Sequence, residues 1–290
     1  MRIAITGAAG RLGRHVVARA LLAGHEVVAV DLPAVVGSQQ SGTGVVWRGA
    51  DLTVADEARA ALAGADAVVH LGGLPDPLHH PAEQVHRTNV EAGFNVLLAA
   101  EEHGIGAVCL ASSVNAIGGA FSSDPRYDWF PVDEDHPSYC EDVYSLSKWV
   151  LEQQSAAFAR RRPAVPFSCL RFHALCADAA AAAGLRGPDP SARRRDLWGW
   201  TSFDAASGAC LLAVQRRSPG HAAYHVVADR TASAVPSAEL AQRFYPGVPI
   251  RSPLPGTASF YTSARAVAEL GWDPADDHPA VSDAERGVVA

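Results

Sequence analysis

Short apolar, β-branched runs at residues 3–6, 27–31, 45–48, 67–70, 107–112 and 167–171 alternate with stretches long enough for a helix, and this alternation restricts the fold more than anything else in the chain. Strands joined by crossovers of that length pair in parallel. A parallel sheet is covered on both faces, so its strands read as continuous apolar runs. Three of the intervening stretches, 12–22, 90–102 and 143–158, repeat apolar residues at helical spacing. The expectation is an α/β chain built on a doubly wound parallel sheet. Beyond about residue 174 the pattern weakens into alanine-rich and proline-rich sequence, with no internal repeat. Two segments are therefore expected: a core of residues 1–173, and a small, irregular substrate-binding region of residues 174–290 packed on it.

Directly between the first strand and the first helix stands Thr6-Gly7-Ala8-Ala9-Gly10-Arg11-Leu12-Gly13. Glycines at 7, 10 and 13 permit a tight turn, a close approach of backbone to a pyrophosphate, and close packing of helix on strand, with phosphate at the helix N-terminus. This marks a Rossmann fold, with Gly7, Gly10, Arg11, Leu12 and Gly13 as candidate cofactor contacts. The second strand ends in Asp31, 18 residues after Gly13, where a carboxylate accepts from ribose hydroxyls. An acid there repels a 2'-phosphate and favours NAD over NADP, although Arg11 in the turn is a counterweight. Asp51 and Leu52 follow the third strand, placed to face adenine, and Leu71-Gly72-Gly73 follows the fourth with small residues where backbone must pass the cofactor.

The chain has one lysine, Lys148, against 23 arginines, and it lies four residues after Tyr144. On a helix, residues four apart share a face. A phenol titrates at about 10, too high for a base near neutrality, and a neighbouring cation is expected to lower it. An ammonium is a compact point charge suited to this, whereas a guanidinium is a planar fork. A third candidate is the pair Ser112 and Ser113 at the end of the fifth strand, in Ala111-Ser112-Ser113-Val114-Asn115-Ala116-Ile117-Gly118. Strand ends on that side are where ligands meet a doubly wound sheet.

Taken together and in this order, the glycine turn, Asp31, the serine pair and the Tyr144/Lys148 pair resemble the extended short-chain dehydrogenase/reductase superfamily, the NAD-dependent epimerase/dehydratase group. The resemblance covers residues 1 to about 173 well and the remainder loosely. It implies NAD as cofactor, Ser113 orienting the reacting oxygen, Tyr144 transferring its proton, and Lys148 holding the cofactor ribose. It also implies cofactor contacts at Asn89 and Phe172, and substrate contacts at Ser112, Ser113, Asn115 and His173. Within the group the sequence is most similar to uronate dehydrogenases, in His70-Leu71-Gly72-Gly73, in the run from Ala111 to Gly118, and around Trp200 to Asp204. By that likeness Arg195 faces a substrate carboxylate. Pro75 and Val114-Asn115 depart from that pattern, standing in place of a serine and of an Asn-His pair.

The implied activity is NAD-dependent oxidation of a hydroxyl on a small sugar or sugar acid, with a nucleotide-sugar epimerase or dehydratase as the alternative. A dinucleotide-sensing regulator on the same fold would not need the tyrosine and the lysine. A net charge of -7 with scattered arginines argues against a nucleic-acid surface. No segment reads as a leader or as membrane-spanning, so a cytoplasmic protein is expected. Five cysteines lack metal-like spacing and are read as reduced and mostly buried, with no metal site. A homodimer through the helices around 90–102 and 143–158 is expected from the family likeness.

Overall fold

The computed structural model describes residues 1–37, 39, 42–185, 187 and 189–274; the end of the second segment, 275–290, lies outside the described residues. Nine strands and nine helices are described: β1 (Arg2–Thr6), α1 (Arg11–Leu22), β2 (Glu26–Asp31), α2 (Pro33–Val36), β3 (Val45–Gly49), α3 (Ala55–Leu62), β4 (Ala67–His70), α4 (Ala82–Glu102), β5 (Ala107–Ser113), α5 (Val143–Arg161), β6 (Pro166–Phe172), β7 (Leu175–Cys176), α6 (Ala179–Gly184), β8 (Thr201–Ser202), α7 (Phe203–Gln215), β9 (Gly220–Val226), α8 (Ser237–Phe244) and α9 (Ala264–Leu270). Seven of the strands form one parallel sheet in the order β3-β2-β1-β4-β5-β6-β9. Strand order reverses between β1 and β4, the position where open α/β sheets bind ligands beyond their carboxyl ends.

Both faces of the sheet are covered, which is why β4 and β6 are buried at every residue. Apolar residues of α1, α7 and α9 pack on one face, and those of α3, α4 and α5 on the other. On the second face α4 and α5 approach closely, because Gly93 leaves room for Leu151; a Cβ at Gly93 would come within 2.4 Å of Leu151 Cδ1. Asp142 caps α5 by accepting from the Ser145 amide at 2.9 Å, which fixes where the helix carrying Tyr144 begins.

The second segment departs from the irregular region expected of it. Its residues 203–215 and 220–226 form α7 and β9, and β9 pairs along the whole length of β6, so the sheet crosses the boundary at residue 173. Sequence periodicity is weak there because α7 is apolar almost all round, as a helix packed between α1 and the sheet must be. The remainder builds a separate aromatic cluster around Phe130, Trp198, Phe260 and Tyr261. Loop 121–142 is tied into it by backbone bonds from Phe130 to Pro249 and from Val132 to Phe260, at 2.9 and 2.7 Å. Cys109, Cys169, Cys176 and Cys210 are buried and Cys140 half-buried, all as free thiols.

Candidate active site

A cleft of about 400 Å³ opens over the carboxyl ends of β1, β2 and β4, lined among others by Gly7, Gly10, Asp31, Asp51, Leu52 and Leu71-Gly72-Gly73. The glycine turn fits a dinucleotide by its shape. Gly7 has φ +65°, and a Cβ on it would stand 2.9 Å from the Gly72 amide nitrogen. Gly10 caps α1 without a side-chain acceptor, so the leading amides of that helix remain for an anion. Leu12 is buried in the core, which leaves its backbone amide as the group available there, and the exposed Arg11 places its guanidinium 5.5 Å from the centre of the Phe203 ring. Asp31 accepts from the Ala9 amide through one oxygen and from the Leu32 amide through the other, both at 2.9 Å. Each oxygen keeps a lone pair for a ribose hydroxyl. Asp51 accepts from the amide and the hydroxyl of Thr53, shaping the wall of the cleft.

Asn89 is buried, and its amide group fixes the loop after β4. It accepts from the Leu74 amide at 2.7 Å and donates to the Leu74 carbonyl at 3.1 Å and to Ser147 Oγ at 3.0 Å. Ser147 in turn donates to the Tyr144 carbonyl at 2.7 Å. Asn89 therefore couples the cofactor side of the cleft to the helix of the chemical side. Gly73 must be small for the same reason, since a Cβ there would meet Asn89 Oδ1 at 2.9 Å.

Ser113, Tyr144 and Lys148 come together at the end of β5. The Lys148 ammonium donates to the Ala111 carbonyl at 2.9 Å and lies 5.7 Å from the centre of the Tyr144 ring. The Ser113 hydroxyl faces the Tyr144 phenol, and Phe121 packs edge-on against its ring at 5.7 Å. The expected lowering of the phenol is not what the structure holds. Burial pushes Tyr144 up to about 12, outweighing the lowering influence of the Ser113 hydroxyl, and the carboxylates of Asp142 and Asp76 act in the same direction as burial. Burial also brings Lys148 down to about 8, opposed by Cys169 and Glu152.

Three expected substrate contacts have partners within the protein. Ser112 is buried and donates to Glu152 Oε1 at 2.5 Å, because successive side chains of a strand diverge and this one is turned into the layer between β5 and α5. His173 has both ring nitrogens engaged: Nε2 donates to the Asp196 carbonyl at 2.8 Å and Nδ1 accepts from the Ala174 amide at 2.7 Å. Asn115 braces its own turn, accepting from the Ala120 amide at 3.0 Å and donating to Ser113 Oγ at 3.3 Å. Phe172 packs in the core on the side of α1 and α7. Arg195 is different: its guanidinium makes no hydrogen bond or ion pair among the described residues. The turn that carries it is held firmly, by the buried pair of Arg193 with Asp196 at 3.1 Å and by the Tyr127 hydroxyl donating to the Arg195 carbonyl at 2.8 Å. That carbonyl would lie 3.5 Å from a Cβ on Gly119, so the turn sits against the loop that follows Ser113. Sequence reasoning passed over Phe121, Asp76 and Glu152; of these only Glu152 carries a local signal, four residues beyond Lys148 on the same helix face.

The family model of the NAD dependent epimerase/dehydratase family matches residues 3–181. The chain belongs to that family. As a member it is an NAD-dependent enzyme, and the turn, the cleft and Asp31 are consistent with that cofactor. Among curated relatives, the uronate dehydrogenase of Pseudomonas syringae pv. tomato is 26% identical over 233 residues, covering 79% of this chain and 74% of the relative. That of Agrobacterium fabrum is 30% identical over 151 residues, 51% of each chain. Among solved structures, uronate dehydrogenase from Agrobacterium tumefaciens superposes with a TM-score of 0.67 at 20% identity, over 95% of this chain and 84% of that one. MoeE5 in complex with UDP-glucose and NAD superposes at 0.68 with 23% identity, over 99% and 96%. At these identities the structural likeness establishes the fold. Among the described residues no helix is long and apolar enough to cross a membrane, and no cluster of His, Cys, Asp and Glu is arranged to hold a metal.

Proposed function

We propose that the chain is a dehydrogenase that oxidises a secondary hydroxyl of a free sugar or sugar acid, with Tyr144 as the general base. The observation that carries this reading is the convergence of Ser113, Tyr144 and Lys148 at the end of β5, beside a cleft shaped for a dinucleotide. Ser113 holds the substrate oxygen by hydrogen bonding while the Tyr144 phenolate takes its proton. NAD held in the cleft would supply a hydride acceptor for the carbinol carbon and a positive charge that favours the phenolate. Lys148, fixed by the Ala111 carbonyl, keeps further N–H donors that would hold the cofactor ribose. Phe121 covers one edge of the Tyr144 ring and keeps water from it.

Arg195 is the group assigned to a substrate carboxylate, because a half-buried guanidinium on a rigid turn, with no hydrogen bond or ion pair among the described residues, is suited to bind a carboxylate in bidentate fashion. The second segment, 174–290, supplies this contact and so acts as the substrate-binding side of the site. The outer faces of α4 and α5 expose Phe94, Leu146 and Trp149, and we assign the homodimer contact to them; sedimentation of the purified protein as a monomer refutes that assignment.

The function is tested by following NADH absorbance with uronic acids, aldoses and nucleotide sugars. NADH formation with a sugar acid or free sugar, lost in Tyr144→Phe while NAD still binds, supports the reading. Interconversion of nucleotide sugars without net NADH replaces it with an epimerase, and inertness toward every free sugar and sugar acid overturns it.

A further inference from the structure

Tyr144, Lys148 and Glu152 follow one another at four-residue spacing on the inner face of α5, and all three are buried. Each meets one of three consecutive residues of β5. The Lys148 ammonium donates to the Ala111 carbonyl at 2.9 Å, Ser112 donates to Glu152 at 2.5 Å, and the Ser113 hydroxyl faces the Tyr144 phenol. Glu152 is also gripped through both oxygens by Arg171 of β6, Nε to Oε1 at 2.9 Å and Nη2 to Oε2 at 2.8 Å. A pair of charges buried this deeply brings little net stability over apolar residues of the same shape. Its place one helical turn from the only lysine therefore points to a role at the site.

We propose that Glu152 is a positioning residue for the Tyr144/Lys148 pair: anchored by Ser112 and Arg171, it fixes the register of α5 on β5 and supplies the counter-charge that keeps Lys148 an ammonium. The proposal rests on the reading of Tyr144 and Lys148 as the working pair. The groups around Lys148 set its charge from several elements. Tyr144 and Glu152 face it from α5 and Cys169 from β6, and the neutral ring of His70, held by Thr6 at 2.7 Å, faces it from β4. Arg171 lies behind Glu152 and saturates its far side. Among the neighbours that favour the ammonium, Glu152 is the one held in an ion pair, with Arg171; Cys169 is held neutral by burial. Without Glu152, burial acts on the ammonium with less opposition, the Ala111 carbonyl remaining as its hydrogen-bond acceptor.

A single lysine makes the test direct. Protein grown on carbon-labelled lysine gives one side-chain Cε resonance, and its titration midpoint reports Lys148 without substrate or cofactor. The midpoint is measured in wild type, in Glu152→Gln, and in Glu152→Gln combined with Arg171→Met. The double variant leaves no unpaired charge in the layer, and replacing both members of a buried pair by neutral groups is commonly tolerated. The expected result is a fall in the Glu152→Gln midpoint of about one pH unit or more, and a smaller fall in the double variant, because Arg171 stands behind Glu152 and its loss removes an opposing positive charge. The alkaline limb of NADH formation should move down by the same amount, a shift that a purely structural role would not produce. A folded variant whose lysine titrates where the wild type does overturns the proposal. Wild-type protein that makes no NADH, with a midpoint that still moves, overturns the functional reading and leaves the counter-charge in place.

Discussion

Replacing Gly13 by alanine should damage both the fold and the cofactor site, and the structure gives the size of each effect. A Cβ at residue 13 would stand 2.1 Å from the Gly7 carbonyl oxygen and 2.7 Å from the carbonyl carbon and oxygen of Ala8. All three obstacles are backbone, so the turn itself must move away from α1. It is held by Gly10 N donating to Gly7 O at 3.0 Å and by Ala9 N donating to Asp31 at 2.9 Å. Overpacking of this kind costs about 1–3 kcal/mol in stability. In a chain of this size each kcal/mol is worth about 2–4 °C of melting temperature. The two turn bonds, at about 1 kcal/mol each, must be remade before the dinucleotide can seat, which weakens NAD binding by about thirtyfold. Gly10→Ala is the control. Its Cβ meets only Gly7 O, at 3.1 Å, and its φ of −67° suits alanine, so that variant should melt close to wild type while its methyl crowds the cleft. Differential scanning calorimetry and calorimetric NAD titration of both variants decide the matter. If Gly13→Ala melts and binds NAD like the wild type, close packing of the turn on α1 governs neither stability nor cofactor affinity.

Asp31→Ser removes the charge that repels a 2'-phosphate but keeps an acceptor for the Ala9 amide, so the ratio of NADP to NAD turnover should rise while NAD affinity falls modestly; an unchanged ratio refutes the assignment. Arg195→Leu should raise KM for a sugar acid by about tenfold to a hundredfold and leave neutral sugars nearly unaffected, and an equal effect on both removes Arg195 from carboxylate recognition. Lys148→Met should abolish turnover and yet stabilise the fold near neutral pH. The folded lysine has fallen from 10.5 to about 8, which at about 1.4 kcal/mol per unit is a cost of about 3 kcal/mol for burying the ammonium. A depressed folded value in a cation means that this cost is complete below about 8 and fades as pH rises toward 10.5, so the stability gap between variant and wild type in urea should close over that interval. A gap independent of pH contradicts the sign.

What the sequence disclosed was whatever depends on neighbours along the chain. The glycine turn, the acid ending β2 and the four-residue step from Tyr144 to Lys148 are local spacings, and local spacing dictates which groups share a turn or a helix face. Ser112 and Ser113 show where that stops. Two adjacent strand residues point to different surroundings, and which of them meets the phenol depends on how α5 lies against β5, a relation set by contacts forty residues away. The same holds for His173, whose ring is taken up by Asp196 and Ala174, and for β9, whose pairing partner lies about fifty residues earlier and whose preceding helix hides its period by being apolar all round. The phenol is the most instructive case. Proximity to a cation predicts a lower value, and the cation is indeed nearby, but burial at the same spot acts on both groups and raises Tyr144 to about 12 while bringing Lys148 down to about 8. Spacing along a chain says which charges meet; the layer of protein around them decides in which protonation state they meet. On the proposed reading Tyr144 becomes an effective base only when further positive charge arrives beside it, so Tyr144 should remain protonated across the physiological range in the free protein. Ultraviolet difference titration of phenolate absorbance, comparing wild type with Tyr144→Phe, should show no ionisation from this residue below about 10 without NAD. Phenolate absorbance from Tyr144 near neutral pH in the free protein would refute the ordering.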